Sequence, residues 1–265
     1  MKLNYIEQGR GPVIILIHGM FGSLSNLGML ARPLVDQYRV ISVDLRNHGD
    51  SPHEQKMDIP VMAADIVELM DDLQIDKAAL IGHSLGGKVA MQVALNCPAR
   101  VDGLVVADIA PVTYSGGQDQ ALAALAALSN VSIESRNAAD KLLSEYINEP
   151  PTRAFLLKNL SRDGQGKLSL KLNMASIVDN YASTLVAAPS GDSFVGATLF
   201  LKGENSAYIQ DKHQPIIEQL FPNMQLQVVA NAGHWLHAEQ PQVVNSLIGD
   251  FLGENIESGS GKTAG

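Results

Sequence analysis

The sequence predicts an α/β protein built on a mostly parallel, doubly wound sheet of about seven or eight strands, with a helical cap inserted late in the series. Three observations predict it. Short apolar, often β-branched runs recur at 13–17, 39–44, 78–82, 101–109, 197–201 and 225–230. Amphipathic stretches of helical period separate most of them. Between 112 and 192 the alternation stops and helical patterns take over, then strand and helix alternate again.

The elements follow in order. Residues 2–8 alternate in polarity and read as an edge strand. The apolar run 13–17 is a buried strand that leads into His18-Gly19-Met20-Phe21-Gly22. A helix is expected over 24–36, with Leu27, Leu30, Leu34 and Val35 on one face. Strand 39–44 ends in Leu45-Arg46-Asn47-His48-Gly49-Asp50-Ser51-Pro52, a loop by composition. Residues 58–73 form an amphipathic helix that Asp58 can cap, with Pro60 tolerated in its first turn.

Strand 78–82 and helix 85–96 flank Gly82-His83-Ser84-Leu85-Gly86, and strand 101–109 is broken by Pro111. Helices are expected at 121–128, 138–147, 152–160 and 172–185. Strand 197–201, helix 214–220, strand 225–230 and helix 241–252 complete the series. The expected organisation is a core of 1–111 and 193–254, a helical cap of 112–192, and a flexible tail of 255–265.

Composition bounds the function. The chain has 265 residues, of which 46% are hydrophobic and 18% charged, so it can build a sizeable core. A net charge of −9 argues against nucleic acid as a partner, because binding phosphates needs a basic face. The single cysteine, Cys97, allows no internal disulfide and suits a reducing compartment. No apolar run reaches the ~18 residues of a membrane helix, so no membrane insertion is expected and the location is read as cytoplasmic. Neither a metal-ligand spacing nor a cofactor motif is recognised. Oligomeric state is not legible.

A parallel sheet binds ligands at the carboxyl ends of its strands. At one such end stands Gly82-x-Ser84-x-Gly86 between a strand and a helix, the context that holds a serine exposed on a strained turn. Glycines at both ends let strand and helix crowd that turn. A serine hydroxyl needs a base to take its proton, and the base needs a third group to orient it. Of seven histidines, His234 follows the last strand at the same sheet edge and is the best-placed base, with His237 second. The backbone N–H of Leu85, next after the serine, is an expected oxyanion donor.

The motifs His18-Gly19-Met20-Phe21-Gly22, Asp44-x-Arg46-Asn47-His48-Gly49-x-Ser51, Gly82-His83-Ser84-Leu85-Gly86-Gly87 and Ala232-Gly233-His234 together resemble the α/β-hydrolase superfamily across nearly the whole chain. Asp108-Ile109-Ala110-Pro111-Val112 and Gly233-His234-Trp235-x-His237-Ala238-Glu239 resemble more closely the small bacterial esterases of the YbfF type. The resemblance implies an oxyanion donor in the loop after His18, with Met20 favoured and Phe21 second. Phe21, His83 and Trp235 are expected to line the substrate pocket.

The acid departs from the commonest superfamily pattern, a Gly-x-x-Asp turn after the seventh strand. Here that turn reads Gly203-Glu204-Asn205-Ser206. Asp108 closes the strand after the serine's helix on an apolar flank, and a buried aspartate needs a partner such as an imidazole N–H. Asp108 is therefore the expected acid, with Glu204 as the alternative. The YbfF-type resemblance implies the same relocation, with Ser206 as a fourth member.

The expected reaction is hydrolysis of a small acyl ester or thioester through an acyl-enzyme. A C–C bond hydrolase or lyase is the alternative on this scaffold, and a non-catalytic small-ligand receptor the alternative of another class.

Overall fold

The computed structural model describes residues 1–114, 119–162, 166–184 and 186–256. In chain order the elements are β1 (Tyr5–Gln8), β2 (Val13–Ile17), α1 (Gly28–Leu34), β3 (Arg39–Val43), α2 (Ile59–Asp72), β4 (Ala78–His83), α3 (Leu85–Asn96) and β5 (Val101–Ala107). There follow α4 (Gln120–Ser129), α5 (Arg136–Leu143), α6 (Pro150–Leu157), β6 (Leu160–Arg162), β7 (Leu168–Leu170) and α7 (Met174–Asp179). The series closes with β8 (Thr198–Gly203), α8 (Gln214–Leu220), β9 (Met224–Val229), α9 (Leu236–Glu239) and α10 (Pro241–Asn255).

Seven strands form one sheet in the order β1-β3-β2-β4-β5-β8-β9. Only the edge strand β1 runs antiparallel; the neighbouring pairs from β3 to β9 are parallel. The continuous apolar runs follow from burial on both faces. In β2, Ile15 and Ile17 join Leu104, Val106 and Phe200 on the face covered by α2 and α3. Ile14 and Leu16 join Val105, Leu199 and Leu201 on the face covered by α1 and α10. Each such side chain contributes about 1.5–3 kcal/mol of burial free energy, and this, more than strand propensity, fixes the register.

The chain crosses from the β3 side of β2 to its β4 side, so the order of winding reverses between β2 and β4. Ile17 pairs with Gly82 there, and the loops after β2 and β4 open side by side. That switch point is where an open α/β sheet makes a crevice.

Several differences from the sequence reading have local causes. The helix expected from residue 24 starts as a 3-10 turn, Leu24–Leu27, before α1. Helix α5 stops at Leu143, and α7 covers only Met174–Asp179 before a 3-10 turn at Tyr181–Ser183. The antiparallel pair β6–β7 was not expected, because two strands of three residues leave no periodic signal. The expected tail lies outside the described residues from 257 onward.

The segment between β5 and β8 is bound to the core at its base by two side chains one turn apart on α3. Buried Lys88 donates to the carbonyls of Val112 (2.9 Å) and Ala187. Gln92 donates to the Ser190 carbonyl at 2.6 Å and accepts from its N–H at 3.0 Å. Both ends of the segment are thus held by α3, the helix that follows Ser84. Further up, Asn159 donates to the Phe21 carbonyl at 2.8 Å.

The polar loop after β3 is a structural hub. Asp44 accepts from the side chain of Asn4 and from the N–H groups of Leu24 and Asp50. Arg46 forms a two-pronged pair with Asp65 at 2.6 Å for each contact. Asn47 donates to the Ser176 hydroxyl at 2.9 Å, tying the loop to α7.

Candidate active site

The turn after β4 explains its two glycines. A β-carbon on Gly82 would stand 2.2 Å from the Gly86 carbonyl oxygen, and one on Gly86 would stand 2.1 Å from that of Ile17. Only hydrogen fits at either position. Ser84 between them has φ +53°, in the left-handed region, and its N–H donates to the Ala107 carbonyl at 3.0 Å. The strain points the hydroxyl up from the sheet edge.

Asp108, immediately after β5, also has a left-handed φ of +52°, and its N–H donates to Leu201 in β8 at 2.8 Å. The sheet ladder is therefore carried one step past the strand end on both residues. Because β5 lies between β4 and β8, Ser84, Asp108 and the turn after β8 are brought to one edge. His234 arrives from the loop after β9.

Imidazole Nε2 of His234 lies 3.0 Å from Ser84 Oγ, and Nδ1 lies 2.7 Å from Asp108 Oδ2. Nδ1 facing a carboxylate carries the ring proton, so Nε2 keeps its lone pair toward the serine. Asp108 is fully buried. Its Oδ1 accepts from Gly203 N–H at 3.0 Å, and its Oδ2 also accepts from the Ser206 hydroxyl. Three donors thus satisfy the oxygens of this buried side chain by hydrogen bonds. A hydroxyl, an imidazole and a carboxylate in this order can move a proton from oxygen to nitrogen and stabilise the resulting imidazolium.

The alternative acid is elsewhere. Glu204 is exposed, and its carboxylate accepts from the Asn231 N–H at 2.8 Å.

The loop after β2 passes over the serine. A β-carbon on Gly19 would come within 3.1 Å of Ser84 Cβ. The Phe21 N–H is committed to His48, donating to Nε2 at 3.2 Å, while His48 Nδ1–H donates to Arg46 carbonyl at 2.9 Å. His18 is fixed likewise, with Nδ1 on the Gly19 carbonyl at 2.7 Å and Nε2 accepting from Leu45 N–H at 3.0 Å. Among the described residues the Met20 N–H has no partner within the chain. The Leu85 N–H, at the first position of α3, has no intrahelical acceptor.

These histidines are neutral by design of their surroundings. Burial lowers His18 and, with His18 beside it, pushes His48 down to about 3. Burial, followed by the neighbouring His237 and His234, holds His83 well below its usual value, and its Nε2–H donates to the His234 carbonyl at 2.8 Å. Burial and then His234 lower His237 to about 4.

A cavity of about 260 Å³ opens over Ser84 and His234. Met20, Phe21, His83 and Trp235 line it, as does His237, the second candidate base, which makes no bond to Ser84. Four further lining residues were not singled out in the sequence. Asp119, Phe155 and Leu156 come from the segment between β5 and β8, and Tyr208 comes from the turn after β8. None lies in a motif, and only the folded path of the chain brings them to the serine. Among the described residues no group of three His, Cys, Asp or Glu is placed to hold a metal ion, and no helix is long and apolar enough to cross a membrane.

Comparison with known proteins bears on the family and the fold. A family model described as alpha/beta hydrolase fold matches residues 12–241. Esterase YbfF of Escherichia coli (strain K12) is 39% identical over 260 residues, covering 96% of this chain and 100% of that protein. The sn-1-specific diacylglycerol lipase ABHD11 of Mus musculus is 40% identical over 250 residues, covering 91% of this chain and 81% of that protein. A solved structure described as a marine microorganism esterase superposes with a TM-score of 0.91 at 36% identity, covering 95% of this chain and 99% of that one.

Proposed function

The chain belongs to the α/β-hydrolase family and is a carboxylic ester hydrolase, and we propose that it works through an acyl-enzyme formed on Ser84. Ser84 Oγ attacks the carbonyl carbon while its proton passes to His234 Nε2. Asp108 holds the imidazole in the required tautomer and stabilises the imidazolium, and Ser206 holds Asp108. The charge that develops on the carbonyl oxygen is received by the backbone N–H groups of Leu85 and Met20. The tetrahedral intermediate collapses, and the leaving alcohol or thiol takes the proton from His234. Water then repeats the sequence on the acyl-enzyme and releases the acid.

The observation that carries this reading is the unbroken line from Ser84 Oγ through His234 to Asp108, opening on a cavity. The oxyanion assignment is supported by the commitment of Phe21 N–H to His48, which leaves Met20 as the free donor of the two. Segment 112–192 acts as a cap over the core of 1–111 and 193–254, supported by Asp119, Phe155 and Leu156 in the cavity wall. Phe21, His83 and Trp235 contact the substrate, a small acyl ester or thioester. Nucleic acid is not a partner on this reading, given the net charge of −9. The single cysteine fits a cytoplasmic location.

Turnover of 4-nitrophenyl butyrate by the wild type and by Ser84→Ala tests the proposal. Loss of the hydroxyl should abolish turnover and labelling by a fluorophosphonate. A Ser84→Ala protein with wild-type rate would overturn it.

A further inference from the structure

The two hydrogen bonds of His234 leave one freedom unset. Both are made at the ring edge, and the imidazole still turns about its Cβ–Cγ bond. Such a turn swings Nε2 off the Ser84 oxygen and Nδ1 off Asp108, and weakens both bonds together.

The face of Tyr208 covers one side of the imidazole. Its ring is stacked on the His234 imidazole, with centroids 4.0 Å apart and planes inclined by 24°. His83 and Trp235 also approach His234, but at 4.8 Å and 6.0 Å and with tilts of 42° and 56°. Tyr208 is thus the ring nearest to coplanar contact.

Tyr208 is itself held. Its N–H donates to the Ser206 hydroxyl at 3.3 Å, and its carbonyl accepts from the Tyr114 hydroxyl at 2.6 Å. That hydroxyl in turn accepts from Ala110 N–H at 2.8 Å. The Tyr114 ring lies against Tyr208 at 5.4 Å, edge-on, and Lys88 Nζ sits 4.7 Å from its centroid.

We propose that Tyr208 is the positioning residue for His234, holding the imidazole in the plane of Ser84 and Asp108 and presenting its electron-rich face to the imidazolium formed during attack. Tyr114 anchors Tyr208 from the base of the segment that follows β5. The inference rests on His234 being the base. It goes beyond that reading by assigning the ring's orientation to a residue outside the Ser84–His234–Asp108 line.

The test uses the full chain and 4-nitrophenyl butyrate, with Tyr208→Leu, Tyr208→Phe and Tyr114→Phe. An attraction of this kind that is realised mainly in the charged state acts on kcat. Tyr208→Leu should lower kcat roughly tenfold with KM changed by less than about twofold. Tyr208→Phe keeps the ring and should stay within about twofold of the wild type. Tyr114→Phe keeps the Tyr208 ring but frees its carbonyl, and should lower kcat by about threefold, which decides the matter if the leucine variant does not fold.

Three results would overturn the proposal: an unchanged kcat in Tyr208→Leu, an equal loss in Tyr208→Phe, or a change confined to KM. Ser84→Ala in the otherwise native chain separates this from failure of the mechanism itself. If that variant is inactive, the acyl-enzyme reading stands whatever Tyr208 does.

Discussion

Ser206 donates its hydroxyl proton to Oδ2 of Asp108, the same oxygen that faces His234 Nδ1. Two donors therefore converge on one carboxylate oxygen, while Gly203 N–H satisfies the other. Ser206 stands where the commoner pattern of the superfamily has the acid itself. The turn after β8 has kept its place beside the histidine but contributes a hydroxyl to a carboxylate supplied by β5.

This arrangement ranks three substitutions. Asp108→Asn keeps the shape but puts an amide against Nδ1, and kcat should fall by about 10³–10⁴. Ser206→Ala removes one donor of three and should cost roughly tenfold. Glu204→Gln, exposed and bonded to Asn231 N–H, should leave kcat unchanged. Steady-state turnover checks all three, and near-full activity in Asp108→Asn with loss in Glu204→Gln would reverse the assignment.

The elbow allows no β-carbon at Gly86. An alanine there would place carbon 2.1 Å from the Ile17 oxygen and 2.5 Å from the His18 oxygen, both backbone atoms that cannot swing aside. Gly86→Ala should lose roughly 3 kcal/mol of stability together with activity. At Gly28, where an added β-carbon meets nothing within 4 Å, alanine should be harmless or mildly stabilising. Thermal midpoints of the two variants make the comparison.

Buried neutral histidines set the acid limit of the fold. In the unfolded chain each imidazole binds a proton below about pH 6.5. In the fold His48 resists protonation down to about 3 and His237 down to about 4, and His18 and His83 are also lowered. The unfolded state therefore binds more protons in this window. Stability is fully present above pH 6.5 and is lost as pH falls toward 4, by up to about 1.4 kcal/mol per pH unit for each such histidine. Urea midpoints measured from pH 8 to pH 4.5 should fall accordingly. His237→Phe, which keeps a ring but removes a titrating site whose Nδ1 is buried without a partner, should have the shallower slope.

The sequence by itself determined whatever is written in local periods. Uninterrupted apolar runs mark strands buried on both faces, glycines at 82 and 86 mark a turn without room for side chains, and Ser84 and His234 each follow a strand. Those signals span a few residues and survive without knowledge of neighbours. Asp108 too is marked there, as a charge ending an apolar strand that needs a partner.

Tertiary structure alone decided which groups meet. Asp108 and Glu204 both follow parallel strands at the same sheet edge, and only the folded backbone turns Asp108 toward His234 across 126 residues of chain and leaves Glu204 at the surface. Likewise Met20 and Phe21 are adjacent in sequence, and only the fold commits the Phe21 N–H to His48, 27 residues away, while the Met20 N–H stays without a partner among the described residues. Tyr208 and Tyr114 carry no motif at all. Their place against His234 comes from the order of β5, β8 and β9 and from burial summed over the whole core, which no local pattern encodes.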